Sequence, residues 1–483
     1  MINKDDLINL LEPHFQKDLL QDNYEVKTIT ATNLLSSSRF DLAFKLIYLK
    51  LKINNLDFAK DIYSEHIRAF TLGKFIEPGN FDKTSIDKFI SEFEKTFEDI
   101  KINGFDSTKT IIPLSKNNSI ANGAHRVSSC IYLNKKIYTV NINAENHIYD
   151  YKFFYNRNVP KLYLDFAAQN FIEFSSNTYI AFIWPSAKDF DSELENIIPN
   201  IIYRKNIDLN LNGAHNLLSE IYNGEEWLGS IENNYRGVHA KLVECFKNFN
   251  PVRVIAFQED KLENVLLIKE KIRNLFKIGK HSVHITDTKE EALRISKLVF
   301  NENSIHFLNH SNPNRFLSFH KRINYFKNFL TENKIENNNV VLDSGIVLSA
   351  YGLRESKDID FFVLNNPNLE KHYNLIDNHD TELVYHRVKK EELIFNPKYY
   401  FHFKGLKFIS FKQLYNMKLE RSELKDLNDV KMMEALLEND YLKKITYEFK
   451  QYINYRLIKI KQKIITVLKF LRLFDFVKNI IKS

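Results

Sequence analysis

The sequence predicts a multidomain α/β (α+β) protein, and three observations lead to that class. A chain of 483 residues is too long for one ordinary hydrophobic core and predicts roughly three domains. Its content of 44% hydrophobic and 27% charged residues is typical of a globular protein. Apolar runs of strand length, at 179–184 and 252–257, alternate with segments of helical periodicity, at 263–276 and 289–300. This alternation indicates sheets covered by helices.

The element pattern divides the chain into five segments. The first is helical, because Leu7, Leu10 and Leu11 recur at helical spacing. The second contains a helix, a short strand, another helix that begins near Gly123, and a closing strand. A middle α/β region has no recognisable role, and a last α/β region precedes a basic amphipathic helix. In chain order the segments are 1–75, 76–160, 161–315, 316–442 and 443–483.

Composition and charge narrow the class of protein. Two cysteines are too few for a disulfide framework or for a zinc site of their own. The first residues are acidic where a signal peptide would be basic, and no run of about 18 apolar residues occurs, so we expect a cytoplasmic protein. The formal net charge of +7 is concentrated at residues 443–483, where eleven Lys and Arg stand against Glu448 and Asp475. The rest of the chain is near neutral, so no stable nucleic-acid partner is expected.

Residues 340–363 combine an apolar strand, a small-residue turn, a short helix and a second strand. Asp358 and Asp360 are two residues apart, so on a strand their side chains point the same way. Two neighbouring carboxylates repel each other, and a divalent cation is the usual reason to keep them together. Ser344-Gly345 leaves room for a triphosphate near the backbone, and Arg354 supplies a cation for phosphate oxygens.

This stretch resembles the polymerase-β nucleotidyltransferase superfamily, whose mark is a Gly-Ser-type turn followed about a dozen residues later by Asp-x-Asp or Asp-x-Glu. The resemblance implies that Asp358 and Asp360 hold Mg²⁺ and that Ser344 and Gly345 line the site of an NTP. The turn here reads Ser-Gly instead of Gly-Ser. A third carboxylate is expected on a later strand, and the candidate is Glu382 in Thr-Glu-Leu-Val.

A later segment, 418–430, looks like the Arg/Lys-Asp-x-x-Asp helix of small transferases of this type. The resemblance implies that Arg421 and Lys425 face phosphate, and that Asp426 and Asp429 form structural ion pairs. Together the two stretches cover about 100 residues of the chain.

A second candidate site is at the start of the helix that follows the Ile-Pro strand. Backbone N–H groups at a helix N-terminus attract anions, and His125 and Arg126 add to the same place. The run Asn122-Gly-Ala-His-Arg resembles the ParB/sulfiredoxin family, whose pattern is Asp-Gly-x-His-Arg at a helix start. The resemblance implies phosphate binding by Gly123, His125 and Arg126, and some members of the family are kinases. The alternative is a capped helix start with a surface ion pair.

These patterns favour a Mg²⁺-dependent nucleotidyl- or phosphoryl-transferase that acts from an NTP on a small-molecule or glycan-precursor acceptor. Bacterial surface-polysaccharide synthesis is suggested by general resemblance alone. Two alternatives stay open: a kinase centre at 122–126 with a nucleotide-sensing C-terminal region, and a non-catalytic scaffold at a membrane. In the tail, Leu457, Ile460 and Ile464 share one helical face, which suits either an anionic inner-membrane surface or packing on the body or on a second copy.

Overall fold

The computed structural model describes residues 1–76, 83–364 and 374–438, together with 453, 456–457, 460–461 and 463–470 of the tail. Within these ranges one pair of short strands and three larger sheets are accompanied by many helices. The predicted α/β multidomain class is therefore confirmed.

A three-stranded sheet organises the N-terminal unit. The elements of this unit are β1 (Ile2–Asn3), α1 (Lys4–Ile8), β2 (Asn23–Tyr24), β3 (Val26–Thr30), α2 (Asp41–Leu51), α3 (Leu56–Thr71), α4 (Ile86–Asn103), β4 (Ile112–Leu114), α5 (Ala124–Tyr132), β5 (Lys136–Asn141), α6 (Tyr151–Tyr155) and α7 (Lys161–Phe174). Strand β5 is central, antiparallel to β3 and parallel to β4. Strand β3, which lies in the predicted helical segment 1–75, completes the sheet formed by β4 and β5 of segment 76–160.

Helix α2 lies at the centre of this unit. Its sequence is apolar on all sides, and every residue of the helix except Lys50 is buried. Helices α3, α5 and α7 pack around it, as a helix without a polar face requires. Its buried Asp41 is stabilised by Arg39 at 2.8 Å and by Lys45 at 3.0 Å, because a buried carboxylate needs cationic partners.

The middle unit is built on a four-stranded antiparallel sheet of order β7-β8-β6-β9. Its elements are β6 (Thr178–Ile183), α8 (Asp191–Ile197), β7 (Ile201–Ile207), α9 (Leu211–Ile221), α10 (Val238–Cys245), β8 (Val252–Gln258), α11 (Leu262–Phe276), β9 (Val283–Ile285), α12 (Lys289–Val299) and α13 (Glu302–His310). The predicted strands at 179–184 and 252–257 and the two predicted helices are confirmed.

The C-terminal unit contains a five-stranded mixed sheet of order β12-β11-β10-β14-β13. Its elements are α14 (Leu317–Glu332), β10 (Val340–Asp343), α15 (Gly345–Ala350), β11 (Ile359–Val363), β12 (Ile376–Asn378), α16 (Leu383–His386), α17 (Lys390–Phe395), β13 (Tyr400–Phe403), β14 (Leu406–Ile409), α18 (Phe411–Arg421) and α19 (Leu424–Glu438). Strand β10 is central, antiparallel to β11 and parallel to β14. Strands β10 and β11 are buried along their whole length, and this burial includes the carboxylates of Asp343 and Asp360.

The three units are joined by a continuous hydrophobic cluster and by polar contacts. Asn55, which caps helix α3, donates from Nδ2 to Glu392 Oε1 at 2.8 Å across 337 residues of sequence. Gln258 at the end of β8 donates from Nε2 to the carbonyl oxygen of Leu35 at 2.8 Å. Each unit therefore completes part of its neighbour's hydrogen bonding.

The described part of the tail is helical at 463–470. Its apolar row is exposed: Leu457, Ile460, Ile464 and Val467 expose between 53% and 58% of their surface. Leu471 and Phe474, which continue the row in the sequence, lie outside the described residues. Searching the described helices for one long and apolar enough to cross a bilayer gives none.

Candidate active site

Strand β10 ends at Asp343, and the chain turns there into helix α15. Ser344 has φ 56°, a left-handed value that is uncommon for a residue other than glycine and marks a sharp turn. A Cβ on Gly345 would lie 3.2 Å from Ser356 Oγ and 3.5 Å from Arg354 Nη1. A side chain at Gly345 would therefore crowd the Ser356 hydroxyl, whereas the Arg354 guanidinium lies at ordinary contact distance from the turn.

Three aspartates lie side by side across β10, β11 and β12. Asp343 is the antiparallel partner of Asp360, and Asp360 is the parallel partner of Asp377. Residues directly opposite each other on neighbouring strands project from the same face of a sheet. Burial raises the pKa of Asp360 to about 6; His379 opposes this shift, and the charges of Asp358, Asp343 and Asp377 add to it. The aspartates are thus close enough to interact.

Two histidines hold Asp343, which is fully buried. Its Oδ2 atom lies 2.8 Å from His379 Nδ1 and 3.2 Å from His386 Nε2. Burial would raise the pKa of Asp343, but the two histidines hold it well below its usual range. Burial would likewise lower the pKa of His379, but the hydrogen bond and the charge of Asp343 raise it. The Oδ1 atom of Asp343 has no hydrogen-bond partner among the described residues, so one buried acceptor is left for another donor or cation.

The residues at this edge fit a hard divalent cation. Their donor atoms are carboxylate oxygens, which Mg²⁺ prefers, and exposed Asp358 precedes Asp360 by two residues at the start of β11. Within the described ranges, no three His, Cys, Asp or Glu side chains surround a common metal position. Mg²⁺ is usually held by one or two carboxylates and completes its shell with water and substrate phosphates. The donors present therefore suit the ion in company with a nucleotide.

A chain of buried ion pairs joins this site to helices α18 and α19. Arg354 binds Asp429 through two hydrogen bonds of 2.6 and 2.9 Å. Lys418 Nζ, which is fully buried, lies 2.9 Å from Asp426 Oδ1 and 2.8 Å from Asp429 Oδ2. The expectation that Asp426 and Asp429 form structural ion pairs is confirmed. Arg354 is consequently held beside the Ser-Gly turn by helix α19.

Arg421 and Lys425, which the resemblance assigns to phosphate binding, both contact carboxylates in the structure. The Arg421 side chain is 5% exposed and donates to Asp426 at 2.7 and 2.8 Å and to Glu382 at 3.0 Å. Three of the five N–H groups of the Arg421 guanidinium are thus directed to carboxylates, which leaves two for another acceptor. Lys425 is exposed and pairs with Glu423 at 3.1 Å.

Asp377, on strand β12, is the carboxylate that a later strand places beside Asp360. Glu382 lies in a 3-10 turn, Asp380–Glu382, and its carboxylate faces Arg421, so its expected place on a strand is wrong. Sequence reasoning missed Asp377 because strand β12 is three residues long and has no apolar alternation. It also missed Asp343, although its place immediately before Ser344 was a usable signal.

The second candidate site surrounds the start of helix α5. Gly123 precedes the helix with φ 93°, and a Cβ there would lie 2.6 Å from Ile112 Cδ1 and 2.9 Å from Arg126 Nη2. Arg126 folds back over this glycine, and its Nη1 donates to Thr110 Oγ1. Burial lowers the pKa of Arg126, and no carboxylate among the described residues lies within ion-pair distance of it.

His125 is turned toward neighbouring side chains of the N-terminal unit. Its Nε2 lies 2.8 Å from Tyr63 Oη, and its ring stacks on Phe93 at 4.5 Å between centroids. Burial lowers the pKa of His125 well below its ordinary value, and the charge of Lys45 acts in the same direction. The imidazole is therefore neutral at pH 7. The structure brings Gly123, His125 and Arg126 together, and their role in phosphate binding stays a prediction.

Comparison of the chain with protein-family models, with curated proteins and with solved structures found no significant match.

Proposed function

We propose that the chain is a Mg²⁺-dependent nucleotidyl- or phosphoryl-transferase that acts from an NTP on a small-molecule or glycan-precursor acceptor. The observation that carries the proposal is the row of Asp343, Asp360 and Asp377 next to the Ser-Gly turn. Neighbouring carboxylates in a partly buried place destabilise a fold unless positive charge compensates them. A bound cation would offset this repulsion, and the phosphates of a nucleotide could then bind the same cation.

Each residue of the site has a part in this proposal. Asp358 and Asp360 hold Mg²⁺, which when bound neutralises and orients the phosphates of the nucleotide. Arg354 supplies a fixed positive charge to phosphate oxygens that approach the turn at Gly345. Asp377 accepts the proton of the acceptor hydroxyl, because it is exposed and lies beside Asp360 on the next strand.

The first experiment follows all four NTPs by mass spectrometry, with purified protein, Mg²⁺ and cell extract. We expect the wild type to form a nucleotidylated product and pyrophosphate, or a phosphorylated product and NDP; the product mass identifies the acceptor. Asp358→Ala/Asp360→Ala is expected to abolish either product. Asp287→Ala, which removes an exposed aspartate of the middle unit, is the matched control and keeps full turnover. Equal turnover by wild type and double variant would refute the proposal.

The start of helix α5 supplies a second candidate function, a kinase centre at residues 122–126. The observation that favours it is Arg126, largely buried without a carboxylate at ion-pair distance in the described ranges. In that case Arg126→Gln abolishes turnover, whereas Asp358→Ala/Asp360→Ala leaves it intact. The opposite pattern assigns the chemistry to the aspartate row.

We also propose that the tail binds the anionic inner surface of a bacterial membrane and makes the enzyme peripheral. The exposed row Leu457, Ile460, Ile464 and Val467, in a segment rich in lysine, supports this role. The full chain is expected to sediment with vesicles that contain phosphatidylglycerol and not with purely zwitterionic vesicles. Deletion of 443–483 is expected to abolish sedimentation, and unchanged sedimentation of the deleted chain would contradict the assignment.

A further inference from the structure

A cavity of about 250 Å³ lies where the three units meet. Each unit contributes one lysine to its wall: Lys50 on α2, Lys297 on α12 and Lys407 on β14. Asn339, which also lines the cavity, precedes strand β10, whereas Asp343 ends that strand. The cavity and the aspartate row therefore lie at opposite ends of β10, roughly 13 Å apart along the backbone.

Lys407 is the most buried of the three lysines. It is 5% exposed, and its Nζ donates to the carbonyl oxygens of Asn338 at 2.7 Å and of Ile394 at 2.5 Å. Within the described residues no carboxylate lies at ion-pair distance from this ammonium group. The amine also faces the rings of Phe395 at 5.1 Å and Tyr400 at 5.0 Å. None of these groups carries a formal negative charge, so an anion in the cavity would compensate the charge of Lys407.

The other two lysines, Lys50 and Lys297, add to the positive charge of the cavity lining. Lys50 pairs with Glu173 at 2.6 Å. The backbone carbonyl of Lys297 accepts a hydrogen bond from Ser304 Oγ, but its ammonium group has neither a hydrogen bond nor an ion pair within the described residues. Glu336 also lines the cavity, but it is exposed to solvent. One inner carboxylate, Glu173, thus accompanies three lysine side chains.

Burial and mutual repulsion act together on these groups. Burial lowers the pKa of Lys407 well below its ordinary value, and the charges of Lys50 and Lys297 lower it further. Burial also lowers the pKa of Lys297; Glu173 opposes this shift and Lys50 adds to it. An anion in the cavity would offset the repulsion and favour the charged forms of Lys297 and Lys407.

We propose that this cavity binds a compact phosphomonoester, of the size of a sugar phosphate. Several ammonium groups that converge in a partly desolvated space recognise a phosphate dianion. Amide side chains on the same wall, including Asn54 and Gln169, suit the hydroxyl groups of a sugar. The volume is below the roughly 300–1,000 Å³ of pockets for drug-sized ligands, so an NTP is too large. This second site is separate from the NTP site proposed above, and its occupant contacts all three units at once.

Isothermal titration calorimetry with glucose 6-phosphate, inorganic phosphate and glucose tests the proposal on the full chain at constant ionic strength. We expect glucose 6-phosphate to bind more tightly than phosphate, and glucose not to bind. Equal affinity for phosphate and glucose 6-phosphate would overturn the sugar-phosphate assignment. Lack of binding by both would overturn the site itself.

Three single substitutions test whether glucose 6-phosphate binds in this cavity. Lys297→Gln removes an ammonium that holds no other group in place, and it is expected to weaken glucose 6-phosphate binding by at least about tenfold. Glu173→Gln removes the competing carboxylate and is expected to strengthen binding, a gain that a purely structural role would not produce. Lys271→Gln, an exposed lysine on α11, is the matched control and leaves affinity unchanged.

The double variant Asp358→Ala/Asp360→Ala distinguishes binding in the cavity from binding at the proposed Mg²⁺ site. That double variant is expected to keep its affinity for glucose 6-phosphate even where it has lost transferase activity. Binding that persists in Lys297→Gln and disappears in the double variant would overturn the proposal, because the ligand would then occupy the site at the end of β10.

Discussion

Replacing Lys418 by methionine is expected to lower the free energy of unfolding of the C-terminal unit by about 3–5 kcal/mol. The ammonium group is fully buried between Asp426 at 2.9 Å and Asp429 at 2.8 Å. Methionine keeps most of the volume of the side chain and removes the charge. Each aspartate retains one arginine, Arg421 or Arg354, but the two buried carboxylates then face each other without the cation that joined them.

Lys425→Met on helix α19 is the matched control for this substitution. Its ammonium group is exposed and pairs with exposed Glu423 at 3.1 Å, and such pairs contribute about 0–1 kcal/mol. Hydrogen exchange measured by mass spectrometry on peptides from 411–438 reports the opening of these helices, without requiring the whole chain to unfold in one step. If Lys418→Met loses no more protection than Lys425→Met, the buried network does not stabilise the helices and the reasoning fails.

Three further predictions test other parts of the fold. Gly123→Ala forces alanine into a left-handed φ and places its Cβ 2.6 Å from Ile112 Cδ1, so the loss of stability in urea unfolding should exceed about 1 kcal/mol; a smaller loss would contradict the packing at α5. Tyr63→Phe removes the hydrogen bond to His125 and should cost about 1 kcal/mol in the same assay; no change would show that this bond contributes nothing. Burial raises the pKa of Cys130 to about 12, so its thiol should react with iodoacetamide only in denaturant, and rapid labelling of native protein would contradict its burial.

The ion pairs of Asp426 also predict how stability depends on pH. Burial would raise the pKa of Asp426, but Arg421 and Lys418 lower it from 3.8 to about 2. A carboxylate whose pKa is lowered by folding stabilises the fold above its unfolded pKa, and this stabilisation is lost as the pH falls through the folded value. The difference in protection between wild type and Lys418→Met should therefore be complete above about pH 5 and shrink toward pH 2. A difference that stays constant over this range would contradict the ion-pair explanation.

Features that depend on neighbouring residues were predictable from the sequence. The strand, turn and short helix at 340–350 follow from an apolar run that ends in Asp-Ser-Gly, and the structure has all three. The burial of Cys130, one turn after Arg126, follows from helical spacing. The strand at Ile359–Val363 likewise follows from its apolar residues; it contains Asp360, and Asp358 lies immediately before it.

Features set by pairing across the chain were not predictable in this way. Strand β3 completes a sheet with β5 through more than 100 residues of intervening sequence, which local periodicity does not report. Asp377 faces Asp360 only because β12 pairs with β11 in one register, and a shift by one residue would turn it to the other face. Arg421 has the same sequence neighbours whether it binds phosphate or Asp426, so its burial in an ion-pair network required the packing of α18 on α19.

The contact between Asn55 and Glu392 has a consequence for how the protein is made. The two residues are separated by 337 positions, and a ribosome adds about 5–20 residues per second, so Asn55 waits on the order of half a minute for its partner. During synthesis the N-terminal unit therefore exists without one of its walls, and the lysine-lined cavity remains an open surface until β14 emerges. Chaperones or early ligands have that interval in which to act on the nascent chain, and truncated products would display this surface permanently.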